Sequence, residues 1–159
     1  MEEGVWHSAR SQTRSFARIE NDSQRVGCSF EEIAPLTIMM LDSNIVIGYL
    51  NGDETIRTAL HAWREKGTVF FISHVSVVEA LSYPSLTQDQ ISRIEDFLGE
   101  FIILPIDMDV ARRAGLLRRT CKLSLPDSMI VATAIANHLP LVTRDKKLRA
   151  ITGIILADI

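Results

Sequence analysis

Four acidic residues interrupt or closely follow strongly apolar stretches of the chain. They are Asp42, Glu79, Asp127 and Asp145. Asp42 breaks the run IMMLDSNIVIGYL, and Glu79 lies within SVVEAL. A carboxylate among apolar residues is costly to bury unless it is paired or binds a cation. These acids are therefore the first candidates for chemistry.

Each acid, taken alone, also has an ordinary structural explanation. Asp127 could cap a helix N-terminus, where an acid also favours the helix dipole. Glu79 could lie on an exposed helix face, and Asp42 could form an Asx-type turn between a strand and a helix. Asp145 could be a loop acid in TRDKKL. The acids indicate a site only if the fold brings them together.

Gathered in one pocket, the carboxylates would repel one another and would in part be protonated unless cations entered. Mg²⁺ and Mn²⁺ accept hard oxygen ligands and keep several waters. Such ions suit phosphodiester hydrolysis, in which one ion activates a water and a second steadies the leaving oxygen. The sequence leaves open whether one or two ions bind. Ser43, Asn44 and Thr143 could hold the carboxylates in place by hydrogen bonds.

The elements that must position these acids alternate between strand and helix patterns from residue 36 onward. Short apolar runs predict strands at 36–41, 68–73, 101–104, 140–143 and 153–156. Helical spacing predicts helices at 44–50, 53–66, 76–82, 88–100, 107–120 and 126–138. The strands are continuous apolar runs, as expected when helices cover both faces of a sheet. The chain is therefore predicted to be an α/β protein with a central parallel sheet.

Ligands of such sheets bind outside the carboxyl ends of the strands. Asp42 directly follows the first strand, and Asp145 comes shortly after the strand PLVT. Glu79 and Asp127 lie in early turns of helices that begin near the same edge. All four acids are therefore expected to converge at the carboxyl edge of the sheet.

The composition is typical of one globular domain, with 159 residues of which 47% are hydrophobic and 23% charged. The net charge of −3 does not suggest a nucleic-acid binder. Residues 112–149, however, carry nine of the seventeen basic residues and only two acids. This basic stretch could be a solvated helix face or a surface that binds nucleic acid.

No apolar run is long enough to span a membrane, and the N-terminus lacks the apolar region of a signal peptide. The two cysteines have no metal-binding spacing and suggest reduced thiols. The expected location is cytoplasmic, without a membrane partner.

The chain divides near residue 36. Residues 1–36 are polar and show no sustained period, so we expect a polar N-terminal extension that is disordered or loosely attached. A translation start at Met39 or Met40 would still yield a complete domain, so the extension could also reflect a misassigned start. Residues 37–159 are expected to form the nuclease-like domain.

Three segments together resemble a PIN domain: LDSNIVIGYLNG, SVVEAL and LSLPDSMIVATAIANHLPLVTRDKKL. Within that family the chain most resembles VapC-type toxins of type II toxin–antitoxin systems. The resemblance implies a three-layer α/β/α sandwich and an endoribonuclease that depends on Mg²⁺ or Mn²⁺. The extension before the first strand departs from the family pattern.

Carried over position by position, the resemblance makes all four acids catalytic and metal-binding, directly or through water. They are Asp42, Glu79, Asp127 and Asp145. Asn44 and Thr143 match supporting polar residues of the family, beside Ser43. The resemblance also favours an RNA-facing role for the basic stretch, with the candidates Arg112, Arg113, Arg144, Lys146 and Lys147.

The resemblance further implies an RNA substrate, a cognate antitoxin protein and a homodimer. The alternative is a catalytically silent PIN-like module that binds RNA or protein. The four intact acids count against that alternative, because a degenerate site would be expected to lose one of them.

Overall fold

The structure is a computed structural model, and it describes residues 37–151 and 154–157. Its strands are β1 (Ile38–Leu41), β2 (Val69–Ser73), β3 (Ile102–Leu104), β4 (Leu141–Val142) and β5 (Leu156–Ala157). Its helices are α1 (Ser43–Leu50), α2 (Glu54–Glu65), α3 (His74–Leu81), α4 (Gln88–Leu98), α5 (Met108–Cys121), α6 (Leu125–Ala136) and α7 (Lys146–Arg149). The predicted extension, residues 1–36, lies outside the described residues.

The five strands form one parallel sheet in the order β3-β2-β1-β4-β5. The chain moves outward from β1 to β2 and β3, then crosses back to place β4 on the other side of β1. The strand order therefore reverses between β1 and β4, and ligands of open parallel sheets bind at such a point. The register pairs Leu41 with Val142, so the next residues, Asp42 and Thr143, leave the sheet side by side.

The core shows that helices cover both faces of the sheet. Leu41 packs in a cluster with α1, α2 and α4, which includes Ile45 and Leu60. Its neighbour Met40 packs in a second cluster with Ile130 of α6. Successive strand residues point to opposite faces, so each face has its own core. The predicted α/β/α fold with a parallel sheet is confirmed.

Side-chain caps set the helix boundaries, and they explain where the predicted bounds were wrong. The Ser73 hydroxyl accepts from the Val75 amide, so α3 begins at His74 and not at Ser76. Ser124 caps α6, which therefore begins at Leu125 and not at Pro126. Capping starts a helix as soon as a side-chain oxygen reaches an orphan amide, before the apolar period becomes visible.

Two further elements near the C-terminus differ from the prediction. The segment after Asp145 forms the short helix α7, whereas the sequence pattern suggested a loop. The last strand is Leu156–Ala157, later than the predicted 153–156. Among the described residues, no helix is long and apolar enough to cross a membrane.

Candidate active site

Asp42 is buried directly after the central strand β1, with 4% of its surface exposed. Its carboxylate makes no side-chain cap to α1, so an Asx-type turn does not account for it. Burial raises the pKa of Asp42 from 3.8 to about 6, although a hydrogen bond from Thr143 lowers it in part. The negative charges of Asp127 and Glu79 raise the pKa further. Two of the other predicted acids are therefore close enough to act electrostatically on Asp42.

The Thr143 hydroxyl connects the polar groups at the end of β4 with those at the end of β1. It donates to Asp42 Oδ2 at 2.6 Å and accepts from Asn44 Nδ2 at 3.2 Å. It also accepts from the Asp145 amide at 3.0 Å. A hydroxyl has one proton and two lone pairs, so Thr143 is fully used. The hydroxyl fixes the Asp42 carboxylate and the start of the Asp145 segment together.

Glu79 is half-buried on α3, and a buried serine pair connects that helix to α1. The Ser43 hydroxyl donates to Ser76 Oγ at 2.9 Å. Ser76 lies three residues before Glu79, on the same face of α3. This pair holds α3 against α1 and so sets the position of Glu79 relative to Asp42.

Asp127 lies in the first turn of α6 but does not cap it. Ser124 is the cap, and its hydroxyl accepts from the Asp127 amide at 3.2 Å. The same hydroxyl donates to Asp127 Oδ2 at 2.6 Å. The capping explanation for Asp127 is therefore wrong, because its carboxylate receives a hydrogen bond instead of supplying a cap. Ser124 holds that carboxylate in one orientation while its other oxygen remains for a ligand.

Asp145 is the N-cap of α7, and its Oδ1 accepts from the Lys147 amide at 2.8 Å. It is joined to Asp42 through Thr143. The structure thus places Asp145 at the same sheet edge as the other acids, with one oxygen already used in capping.

The predicted RNA-facing residues are in different environments. Arg113 pairs with Asp109 at 2.7 Å on α5, and Arg144 pairs with Asp53 at 2.6 Å. The hydrogen bond from Arg144 is the main cause of a lowered pKa of Asp53. Arg112 and Lys146 are exposed, and Lys147 lines a cleft beside Asp127. Lys147 is therefore the candidate that shares a cleft with one of the acids.

The donor set fits a hard, water-rich cation. In the segments 37–151 and 154–157, no three His, Cys, Asp or Glu side chains lie close enough to form a ready-made metal site. Mg²⁺ needs no such cage, because it keeps several waters and is usually held by one or two carboxylates. A cation beside Asp42 would also offset the repulsion that raises its pKa.

The sequence analysis missed two serines that orient the acids, Ser76 and Ser124. Both stand three residues before an acid, in SVVE and SLPD. The pattern of a serine followed three residues later by an acid is a known helix-start signal. It would have identified Ser124, whereas the partner of Ser76 comes from another helix and has no local signal.

Comparisons with known proteins agree with this fold. The family model for the PIN domain matches residues 39–154. A toxin–antitoxin complex from Klebsiella pneumoniae contains a chain that is 32% identical, with a TM-score of 0.65, covering 76% of this chain and 99% of that one. VapBC2 from Rickettsia felis, bound to a fragment of promoter DNA, matches at 23% identity and a TM-score of 0.67, covering 77% and 99%. VapBC-1 from nontypeable Haemophilus influenzae matches at 24% identity and a TM-score of 0.64, covering 77% of this chain and 98% of that one.

The last two matches are below 25% identity and support the fold alone. The comparison with curated proteins gave no significant match. The fold and site define a three-layer α/β/α protein with carboxylates at the carboxyl edge of a parallel sheet. The chain belongs to the PIN domain family. The predicted resemblance to the PIN domain family is confirmed by the family model and by the 32% identical chain.

The raised pKa of Asp42 predicts a pH-dependent stability of the metal-free protein. Its folded-state pKa is about 6, above the ordinary 3.8, so the fold prefers the protonated acid. Stability from this group is complete below pH 3.8 and is lost as the pH rises through 6. Asp42→Asn should therefore match wild type near pH 4 and be more stable near pH 8 by about 2 to 3 kcal/mol.

Urea unfolding in EDTA across this pH range measures the difference. Asp96→Asn, which changes an exposed acid on α4, is the matched control and should show no comparable pH dependence. A difference in unfolding free energy between Asp42→Asn and wild type that stays constant with pH would contradict the proposed burial penalty.

The role of Thr143 predicts opposite results for two substitutions. Thr143→Val keeps the shape but removes the hydrogen bond that lowers the pKa of Asp42, so that pKa should rise above about 6. Thr143→Ser keeps the hydroxyl and should leave the pKa near the wild-type value. Carbon-13 NMR titration of the Asp42 carboxyl group in EDTA compares them. Equal pKa values in both variants would show that the hydroxyl does not stabilise the charged carboxylate.

Proposed function

We propose that this PIN-domain protein is the toxin of a toxin–antitoxin pair and acts as a metal-dependent endoribonuclease. The observation that carries the proposal is the electrostatic coupling of Asp42, Asp127 and Glu79 at the point where the strand order reverses. A site of this kind concentrates negative charge where parallel sheets bind ligands. The 32% identical chain of a toxin–antitoxin complex supports the toxin assignment.

Asp42 and Asp127 are the proposed direct ligands of Mg²⁺ or Mn²⁺, and Glu79 and Asp145 contribute directly or through water. When bound, the ion supplies Lewis-acid activation of water and neutralises charge on the phosphate. Thr143 and Ser124 orient the two direct ligands by hydrogen bonds of 2.6 Å each. Such fixed orientation keeps the carboxylates from turning away from an ion or a substrate.

RNA is the proposed substrate, and the basic side chains near the acids support this proposal. The basic stretch 112–149 brackets Asp127 and Asp145 in the sequence, and Lys147 lines the same cleft as Asp127 in the structure. Positive groups at that position would attract the phosphate backbone, whose approach the acids alone would oppose.

The metal-dependent mechanism predicts loss of cleavage when an acid is neutralised. Asp42→Asn and Asp127→Asn should each reduce cleavage of total RNA by at least about 100-fold in Mg²⁺ or Mn²⁺, and excess EDTA should abolish it in wild type. Asp96→Asn should retain full activity, because that acid is exposed on α4. Gel analysis of labelled RNA measures cleavage.

A thermal shift titration separates this function from a silent module. Millimolar Mg²⁺ or Mn²⁺ should raise the melting temperature of wild type, because a ligand that binds only the folded state stabilises it. The rise should be much smaller in Asp42→Asn. No shift in wild type, together with cleavage that resists EDTA, would refute the metal-dependent mechanism and favour the silent module.

We also propose that a cognate antitoxin inhibits the protein. The 32% identical chain comes from a toxin–antitoxin complex, which supports such a partner here. The candidate is the product of a small open reading frame next to this gene. Added at equal concentration, it should bind wild type and suppress RNA cleavage, measured by the same gel assay. Full cleavage under saturating antitoxin would exclude that product as the inhibitor. A homodimer, also implied by the resemblance, stays a prediction.

A further inference from the structure

A cleft of about 770 Å³ lies beside the acidic group. Three elements form it: the end of α5, the start of α6 and the short helix α7. Its volume is within the range of pockets that hold molecules of nucleotide size, about 300 to 1,000 Å³. Asp127 lines this cleft and also interacts electrostatically with Asp42. Asp127 therefore belongs both to the cleft and to the proposed catalytic site.

The charges along the cleft favour a phosphate. Lys122 and Lys147 both line it, and neither forms an ion pair within residues 37–151 and 154–157. The acid in its lining is Asp127, at the end that meets the catalytic group. A strand whose scissile phosphate lies at the acids would place a neighbouring phosphate between the lysines.

Lys122 has an unusual backbone for its residue type. It ends α5 in the left-handed conformation, with φ of 54° and ψ of 35°. Glycine or asparagine is the usual residue at such a position. A lysine in this backbone conformation suggests a function for its side chain, which lines the cleft.

The rest of the lining is apolar and hydroxyl-bearing, with Leu117, Leu123 and Ile151 among the apolar residues and Thr120 among the hydroxyls. Among the described residues that line this cleft none is aromatic, so they offer no stacking platform for a base. Recognition by phosphate contacts and apolar packing would tolerate different bases.

We propose that this cleft is the subsite for the nucleotide adjacent to the scissile bond, with its backbone phosphate bound by Lys122 and Lys147. The proposal rests on the proposed ribonuclease function and deepens it by naming a second place where the RNA strand is held. It also predicts that these two lysines contribute to affinity without selecting a base.

The test measures RNA binding in the Asp42→Asn background with Mg²⁺, so that cleavage does not interfere. The probe is a fluorescein-labelled single-stranded oligouridine, followed by fluorescence anisotropy. The test variant carries Lys122→Asn and Lys147→Gln, because asparagine tolerates the left-handed backbone at position 122. The control carries Lys66→Gln and Arg93→Gln, which remove two exposed positive charges elsewhere.

We expect the test variant to lose affinity on the order of 10-fold near 0.1 M salt, and its salt dependence to fall by about 1.4 in log–log slope. The control should change affinity less than about 2-fold, as expected for charges that touch no phosphate. Lys122→Arg with Lys147→Arg should retain wild-type binding, because the charges remain. A test variant that binds as the control does would overturn the subsite.

A scan with single neutral methylphosphonate links along the oligouridine locates the contact. At one link, neutralisation should weaken binding to the Asp42→Asn protein but not to the test variant, because the lysines that bind that phosphate are absent. An equal loss of affinity in the Asp42→Asn protein and in the test variant at every link would overturn the proposal.

The outcomes also distinguish the two levels of the proposal. Suppose that wild type cleaves RNA with Mg²⁺ or Mn²⁺, but that each neutral link weakens binding equally in the Asp42→Asn protein and the test variant. Only the subsite proposal then fails. If wild type cleaves no RNA with either ion, the ribonuclease function fails, and the subsite proposal fails with it.

Discussion

The buried carboxylate of Asp42 is the constraint on which the rest of this structure depends. A charged group at the end of a central strand loses most of its contact with water, and the fold must compensate for that loss. The compensation comes from Thr143, whose hydroxyl can reach Asp42 only because β1 and β4 are neighbours in register. The strand order, which places β4 beside β1, thus brings a hydroxyl next to an acid at the point where the order reverses.

The other acids reach this point from both layers of the sandwich. Glu79 comes from α3, which a serine pair holds against α1, and Asp127 comes from α6 on the other face of the sheet. Their charges raise the pKa of Asp42, so the arrangement costs stability when no cation is present. Proteins tolerate such unfavourable electrostatics mainly where function requires them. In this chain the cost supports the proposed cation and phosphate site.

Much of the fold could be predicted from local patterns. In the part of the chain that the structure describes, apolar runs located all five strands to within a few residues, and helical spacing located six of the seven helices. Alternation of the two elements was enough to predict a parallel sheet with helices on both faces. The last strand was predicted too early in the chain. Other errors fell at positions where one side chain decides the boundary, as Ser73 does for α3 and Asp145 for α7. Short-range capping has no periodic signal, so the pattern of apolar residues could not reveal it.

The sequence by itself determined which residues could carry chemistry: acids set in apolar surroundings at the ends of strands and the starts of helices. It could not decide which groups hold Asp42 or join the helices around it, since those partners are distant in the chain. Asp42 and Thr143 are separated by 101 positions, and Ser43 and Ser76 by 33. Tertiary structure decided that Arg144 pairs with Asp53 and that Lys147 lines the same cleft as Asp127. The reason is physical: hydrogen bonds and charge interactions act over a few ångströms, and only the packed sheet and its two helical layers bring these groups within that range.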